Sequence, residues 1–435
     1  MPAAPKLLEF PWPFRAMAAI ESDIDGTNLA TFRETMRFLR TEADTLMGPG
    51  LGLDFVNSFW VYGPNPNGAI EHRMLYMHGI GDPTRTSAYA DEVAFYVRSG
   101  WAATLHTFGQ IGQAFSRDQA KYAIDRLGEI GGQYRIWTNH GRGGAQNIRS
   151  RLQKLPALQG DLPHEAAYHA DLLTELGVKY FWPGMRGTVC GGTRTPARPV
   201  SLMDGQRVWA FERSIGSRHD MAAYDQLLRL GSMPTVCPPR VETVAWQVRL
   251  LEAMLAPAAL QRLVDAGQYC IFGQHLGNLG GARSFPPSAI AALRNLKGYQ
   301  DEKKILIAST ARLLDYYVAR THLDFAWTVS GDTASLEIRK IRDPVSGDRA
   351  PSLAEVRGLS FVLHGARALT NIVVALNGKA LPEAPLFFDR RGDCLTFGIR
   401  WHAVDRTDYA QAYDGGGSGS GKRVGMAAAR SDPAG

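Results

Sequence analysis

Two carboxylates, Asp23 and Asp25, are separated by one residue at the end of an apolar stretch in the segment "AAIESDIDGTNLATF". At the end of a strand, side chains two residues apart point to the same face. Carboxylates this close repel each other, which raises the pKa of one of them unless a cation lies between them. The pattern therefore predicts a metal site with an adjacent general base. The alternative is a polar strand end, with a turn at Asp25-Gly26 and Asn28 capping the following helix.

Three histidines occupy comparable positions at the ends of other apolar runs, in "AATLHTFG" (His106), "TNHGRGGAQNI" (His140) and "IFGQHLGNLGG" (His275). Imidazole is both a common metal ligand and a common general acid. We interpret His140 and His106 as metal ligands beside Asp25, and His275 as an acid that protonates a leaving amine or alcohol. Each could instead be a structural histidine. Polar residues in and before the glycine-rich loop are candidates for binding a substrate: Asn139, Arg142, Gln146 and Asn147.

The elements that carry these residues alternate between short apolar strands and helices of amphipathic spacing. This alternation predicts an α/β fold with a parallel sheet, and the number of units favours a distorted (β/α) barrel of about seven strands over residues 14–320. Chemistry in such barrels lies at the carboxyl ends of the strands. From 322 to 412, short runs with period-two alternation predict a small antiparallel β-sandwich domain. The Gly/Ser-rich segment 414–435 predicts a flexible tail.

The bulk composition restricts the class of protein. The chain has 435 residues, of which 45% are hydrophobic and 21% charged, as expected for a globular protein with a real core. Its net charge of +6 is spread along the sequence, so no basic stripe indicates that the protein binds nucleic acid. The four cysteines form no CxxC pair, which argues against a zinc knuckle and a disulfide scaffold. We find no apolar run of membrane-spanning length and no signal-peptide pattern, and we therefore expect a cytoplasmic protein without a membrane span.

The order of the motifs resembles that of the NodB-homology polysaccharide deacetylases over roughly residues 14 to 320. That resemblance implies a metal-dependent hydrolase of acetamido groups on a distorted (β/α) barrel. "ESDIDGT" resembles the family's Asp-Asp motif, which implies Asp23 as the base and Asp25 as a metal ligand. "TNHG" implies His140 as a ligand, and "CIFGQHLG" implies His275 as the acid. "YFWPGMRG" implies Arg186 as the arginine that orients the base.

Two departures from the family pattern affect these assignments. The family's second metal-binding histidine should follow His140 by four residues, where this chain has Gly144. Either Asn147 reaches back or His106 supplies the missing ligand; we prefer His106, because a nitrogen ligand suits zinc better than an amide oxygen. Ile24 also separates the two acids, which leaves the choice between base and ligand open.

The resulting expectation is a hydrolase that uses a divalent metal, zinc in the first place, to remove an N- or O-acetyl group from a sugar or polysaccharide precursor. Two other functions stay open. "DIDGT" matches the first motif of haloacid-dehalogenase-like phosphatases, in which Asp23 would attack phosphorus, but we find no downstream acidic partner motif. A non-catalytic member of the deacetylase family that binds glycans or partner proteins is the other. The sequence does not define the oligomeric state.

Overall fold

The structure is a computed structural model that describes residues 4–63, 76–79, 82, 84–109, 115–140, 144–152, 156–214, 248–279 and 282–416. Short 3₁₀ turns lie at Gly184–Gly187, Val248–Leu250 and Ala366–Ala368. The helices of these ranges are α1 (Leu29–Arg40), α2 (Ala90–Arg98), α3 (Arg117–Ile130), α4 (Ala170–Glu175), α5 (Leu251–Met254), α6 (Pro257–Ala266), α7 (Pro287–Asp301), α8 (Thr310–Thr321), α9 (Leu353–Val356) and α10 (Tyr409–Gly416). Within the same ranges, none of the helices combines the length and the apolar composition that crossing a membrane requires.

The strands fall into a first series, up to residue 214, and a second series after residue 268. The first series is β1 (Lys6–Leu7), β2 (Ala16–Ser22), β3 (Asp44–Thr45), β4 (Gly48–Pro49), β5 (Val56–Gly63), β6 (Tyr76–Gly79), β7 (Ala102–Leu105), β8 (Ile136–Thr138), β9 (Tyr180–Trp182), β10 (Thr188–Val189), β11 (Ala197–Ser201), β12 (Arg207–Phe211) and β13 (Arg213–Ser214). The second series is β14 (Tyr269–Gln274), β15 (Ile305–Ile307), β16 (Leu323–Ser330), β17 (Thr333–Asp343), β18 (Gly347–Arg349), β19 (Ser360–His364), β20 (Asn371–Leu376), β21 (Lys379–Ala380), β22 (Leu386–Arg391) and β23 (Cys394–Ile399).

Twelve of the described strands form one large curled sheet. Its order is β10-β13-β14-β2-β5-β7-β8-β9-β12-β11, with β15 also paired to β2 and β6 to β5. The central pairs are parallel, whereas β11 and β12 form an antiparallel pair at one edge. The prediction of a distorted (β/α) barrel of about seven strands is therefore wrong, because the sheet is a half-barrel with more strands and fewer helices than that fold requires.

The departure from the predicted barrel lies in the segment after β9. A strand–helix repeat would place a helix there, but residues 183–214 contain a 3₁₀ turn and the short strands β10 to β13 instead. β12 pairs with β9, whereas β13 begins only two residues after β12 ends and pairs with β14. Only Glu212 separates β12 from β13, so the curl of the sheet brings its β12 side and its β13 side close together at this point. The pairing of β13 with β14, which also pairs with β2, places Arg213 near the end of β2.

The two faces of the large sheet pack into two different hydrophobic cores. On β2, Ala18 and Ile20 share a core with α1, α2, α3 and α7. Met17 and Ala19, on the opposite face, share a core with large aromatics of the sheet, with Leu314 of α8 and with the C-terminal strands. This second face is consequently covered by α8 and by those strands.

The C-terminal strands form two further sheets, ordered β16-β17-β20-β21 (with β18 on β17) and β1-β19-β23-β22. Most of their pairs are antiparallel, but β17 and β20 run parallel, so the sheets differ from the purely antiparallel β-sandwich of the prediction. β1, from the first residues of the chain, pairs with β19. Residues of the regions 14–320 and 322–412 share one hydrophobic core. Their predicted division into two domains stays a prediction.

Residues at the start of the predicted tail belong to helix α10. The ring of Tyr409 meets Trp101 edge-on, with 5.7 Å between ring centroids. Asp414 forms an ion pair with Arg33 of α1 at 3.1 Å. The segment up to residue 416 is therefore packed against the helices of the large sheet, and residues 417–435 of the predicted tail lie outside the described ranges.

Candidate metal centre and its base arm

The two carboxylates of the opening motif lie immediately after β2. The backbone N–H of Asp23 donates to the carbonyl oxygen of Gln274 at 2.8 Å, which holds it to β14. The Ile24 side chain is fully buried in the core that packs against the helices. Both carboxylates reach the His106 imidazole: Asp23 Oδ1 lies 3.4 Å from Nδ1, and Asp25 Oδ2 lies 2.9 Å from Nε2. The apolar residue between the acids thus anchors the turn while both acids face one ring.

Two histidines face Asp25 from neighbouring parallel strands. His106 follows β7 and His140 comes two residues after the end of β8. Their rings stack with centroids 5.0 Å apart, and His140 Nε2 lies 2.9 Å from Asp25 Oδ1. Each oxygen of the Asp25 carboxylate therefore faces one imidazole nitrogen.

Other side chains hold the two rings in place. His106 Nδ1 lies 2.8 Å from Thr138 Oγ1, and the Trp60 indole stacks on the same ring at 6.1 Å while its N–H donates to the His106 carbonyl. Asn147 accepts a hydrogen bond from the His140 backbone N–H at 3.0 Å and donates one to its carbonyl at 3.1 Å. In the tautomer whose Nδ1–H donates to Thr138, the Nε2 lone pair of His106 is available to a ligand, as in typical histidine–metal sites.

The chemistry and spacing of Asp25, His106 and His140 fit a divalent metal ion. Their ligand atoms all lie within 4.8 Å of one another. Tetrahedral zinc ligands at about 2.0–2.2 Å from the ion are separated from each other by about 3.3–3.6 Å. Asp25 Oδ2 and His106 Nε2 are buried and 2.9 Å apart, but neither forms a hydrogen bond within the described part of the chain. A cation bound between these two facing, buried atoms would give both of them a partner.

Electrostatics at the three residues favour the ionised carboxylate. Burial by itself raises the pKa of Asp25, but the His140 and His106 rings outweigh burial and hold that pKa well below its ordinary value. Burial lowers the pKa of His106, but Asp23 and Asp25 outweigh it, so the net shift is upward. The site is thus a strongly coupled group of charges into which a cation can bind in place of protons.

Asp23 is held by an arginine. The guanidinium of Arg213 donates two hydrogen bonds to the two carboxylate oxygens, both at 2.9 Å. Arg213 is fully buried, and its guanidinium carbon lies 4.2 Å from the centroid of the Trp182 ring. Burial raises the pKa of Asp23, but the charges of Arg213 and His106 outweigh burial and keep that pKa below its ordinary range. We refer to Asp23 and Arg213 together as the base arm.

His275 lies on the side of the site away from His140. It follows β14, and its Nε2 lies 3.6 Å from Asp23 Oδ2 and 4.0 Å from Asp25 Oδ2. The loop that follows it contacts the Asp25 turn directly, because a Cβ atom at Gly277 would lie 2.1 Å from Thr27 Oγ1. Thr27 is fully buried. Close packing of Gly277 on Thr27 therefore sets the distance between the His275 loop and the acidic turn.

A second possible metal-binding group consists of Asp23, Asp25 and His275. Both oxygens of Asp23 are already engaged by Arg213, and the adjacent guanidinium repels a cation. The arrangement therefore favours one ion at Asp25, His106 and His140, with Asp23 beside it.

Three of the four residues predicted to bind substrate use their side-chain amides to bind the protein's own backbone. Asn139 binds the backbone of Ile148 with both ends of its amide, and Gln146 does the same with Phe108 and Gly109. Asn147 holds His140, as described above. These amides brace the glycine-rich loop, and their contact with a substrate stays a prediction. Arg142 and the side chain of Arg186 lie outside the described part of the structure.

Sequence reasoning did not identify Arg213, although a signal for it was present. "QRVWAFERS" reads as a strand, and Arg213 is a charged residue at the end of that strand. The same criterion that selected the histidines would have selected it. What the sequence could not supply was the pairing of β13 with β14, which places Arg213 beside the end of β2.

Thr138 and Trp60 were likewise not predicted, because their roles depend on contacts to His106 from neighbouring strands.

Comparison of the chain with known protein families, curated protein sequences and solved structures finds no match.

Proposed function

We propose that this protein is a metal-dependent hydrolase that removes an acetyl group from an N- or O-acetylated sugar or polysaccharide precursor. The observation that carries the proposal is the Asp25–His106–His140 group with a buried, arginine-held carboxylate on one side and an imidazole beyond it. The order of motifs similar to the NodB-homology deacetylases supports acetyl groups as the target.

Each residue of the site has a separate role in the proposed reaction. Asp25, His106 and His140 would hold the ion, which, when bound, polarises the acetyl carbonyl and lowers the pKa of a water molecule. Asp23, held ionised by Arg213, accepts a hydrogen bond and then the proton from the attacking water. His275 Nε2, 3.6 Å from Asp23, donates a proton to the departing nitrogen or oxygen.

The ion pair with Arg213 both orients Asp23 and weakens it as a base, since it lowers the pKa of the carboxyl. Efficient proton transfer then depends on an acidified water and on a fixed geometry more than on the proton affinity of Asp23. The buried, bidentate contact provides that fixed geometry.

The test joins metal analysis with an acetate assay. Purified protein loaded with zinc should hold one equivalent and release acetate from at least one member of a panel of N- and O-acetylated sugars. Asp25→Ala and His140→Ala should lose the metal with the fold retained; full metal occupancy in both variants would contradict the ligand assignment. A zinc-loaded wild type that releases no acetate from the panel favours a non-catalytic glycan-binding role.

The geometry is unfavourable for the phosphatase alternative. Asp23, the nucleophile in that alternative, is 3% exposed, with both oxygens engaged by Arg213, so it has little freedom to attack phosphorus. A magnesium-dependent phosphatase assay decides between the two. The proposal includes a cytoplasmic location, which cell fractionation tests. The proposed substrate is a precursor that is made in the same compartment.

A further inference from the structure

A second acidic side chain lies beneath the base arm. Glu21 is on β2, two residues before Asp23 and therefore on the same face of the strand. It is 1% exposed, and its Oε1 lies 3.6 Å from a terminal nitrogen of Arg213. Oε1 forms no hydrogen bond within the described ranges. The hydroxyl groups of Thr104 and Thr310 lie beside the same carboxyl group.

Arg213 is thus contacted on three sides. Asp23 engages both terminal nitrogens, Glu21 lies beside one of those nitrogens, and the Trp182 ring covers the guanidinium plane at 4.2 Å. A buried acidic group is costly and is retained where it has a partner or a role. The ion pair with Asp23 already balances the charge of Arg213, so charge neutralisation does not explain Glu21.

Orientation does explain it. Two parallel hydrogen bonds to a carboxylate require the guanidinium plane to stay aligned with that carboxylate. The Trp182 ring lies against the guanidinium plane, where it would oppose tilting, and the Glu21 carboxyl group lies 3.6 Å from a terminal nitrogen, where it would oppose rotation within the plane.

We propose that Glu21 is a positioning residue, which fixes the Arg213 guanidinium so that both of its terminal nitrogens stay on Asp23. This inference rests on the proposed hydrolase function, because it assigns Glu21 an effect on the reaction through the base arm. Glu21 has no contact with Asp25, His106 or His140 among the contacts of the structure, so its effect is separate from metal binding.

The test uses Glu21→Gln, which keeps the shape of the side chain and removes its acidic group. We expect the kcat for acetate release to fall at least about tenfold, with KM and zinc stoichiometry unchanged. In an Asp23→Asn background, Glu21→Gln should cause no further loss, because the group that it positions is already absent. An unchanged kcat, or the same fractional loss in both backgrounds, overturns the proposal.

Asp54→Asn is the matched control. Asp54 is also a buried carboxylate paired with an arginine, at 2.9 Å from Arg312, but it does not contact the base arm. It should leave kcat unchanged even if it lowers the thermal unfolding midpoint. A similar fall in kcat for Asp54→Asn would indicate a general effect of removing buried charge and would overturn the assignment.

A readout that does not depend on activity separates this inference from the proposed function. In a crystal structure of Glu21→Gln, Arg213 should keep at most one of its two hydrogen bonds to Asp23. Retention of both bonds overturns the positioning role even if the variant is slow. If the wild type shows no acetyl hydrolysis, the proposed function fails, and the crystal structure alone then decides the role of Glu21.

Discussion

Asp23 and Arg213 are 190 residues apart in the sequence and form a buried bidentate ion pair, with both hydrogen bonds at 2.9 Å. Asp23 follows β2 and Arg213 begins β13, and the two residues come together because both strands pair with β14. Removal of either partner would leave a buried charge without its counter-ion.

Arg213→Lys should lower kcat by about tenfold or more, because a lysine keeps the charge but cannot make two parallel hydrogen bonds to one carboxylate. Zinc stoichiometry, measured by elemental analysis, should stay at the wild-type value. Arg312→Lys, which alters an arginine–carboxylate pair outside the site, is the control and should leave kcat unchanged. A normal kcat in Arg213→Lys would show that the bidentate geometry is dispensable.

Thr138→Val tests the support of the metal ligands. The substitution keeps the volume of the side chain but removes the hydroxyl that lies 2.8 Å from His106 Nδ1. Loss of such a partner weakens metal binding by about 10–100-fold. Competition against a chromophoric chelator measures the change, and Thr174→Val, whose hydroxyl bonds to Gln206 in another part of the fold, should leave zinc affinity unaltered. Equal affinities in both variants would argue against His106 as a ligand.

Gly277→Ala should separate the His275 loop from the acidic turn. The new methyl group would lie 2.1 Å from the buried Thr27 Oγ1, so one of the two loops must move. We expect a loss of stability of about 1–3 kcal/mol, as for an overpacked core, together with a fall in kcat. Gly298→Ala in α7, where a Cβ atom meets nothing within 4 Å, should leave kcat unchanged and raise stability slightly. Chemical denaturation and the acetate assay give both quantities.

The buried His169 predicts a pH dependence of stability that is separate from the site. Burial among rings that include Phe108 and Trp137 lowers its pKa to about 4. The unfolded chain, with an ordinary histidine pKa of about 6.5, binds the proton first, so the contribution to stability is lost as pH falls from about 6.5 toward 4. The full effect is about 3 kcal/mol.

His169→Gln should therefore flatten the curve of unfolding free energy against pH in that window. The exposed His364 is the control, and His364→Gln should leave the slope as it is in the wild type. An unchanged slope in His169→Gln would assign the acid sensitivity to other groups.

The sequence predicted those parts of the site that depend on local patterns. Apolar runs with a polar residue at the end identified β2, β7, β8 and β14, and parallel pairing then brought His106 and His140 beside Asp25. Even the alternative interpretation of the motif was partly correct, because the Asn28 side chain caps α1 by accepting a hydrogen bond from the Thr31 backbone N–H at 2.9 Å. The cap and the candidate metal ligand are different residues of one turn.

The sequence-based predictions that failed concern features that depend on contacts between distant segments. Alternation of strands and helices is similar in open and closed parallel sheets, so it could not show that the C-terminal strands and α8 cover one face of the large sheet. The helical spacing of apolar residues in 28–46 predicts a helix over that whole segment, but α1 ends at Arg40, because the following chain turns back and the Leu51 N–H donates to the Phe38 carbonyl. Arg213 and Thr138 likewise become functional candidates only through residues on other strands.

The pairing of β1 with β19 has a consequence for the time course of biosynthesis. Lys6 and Leu7 pair with Val362 and Phe361, so the first strand of the chain lacks its partner until more than 350 residues have been made. At about 5–20 residues per second, that delay is on the order of 20–70 seconds. During it, Phe10 lacks the C-terminal residues of its core, and the backbone N–H of Trp12 lacks its acceptor, the Ser360 hydroxyl. The segment around these two residues is accordingly where we expect a chaperone to bind the nascent chain.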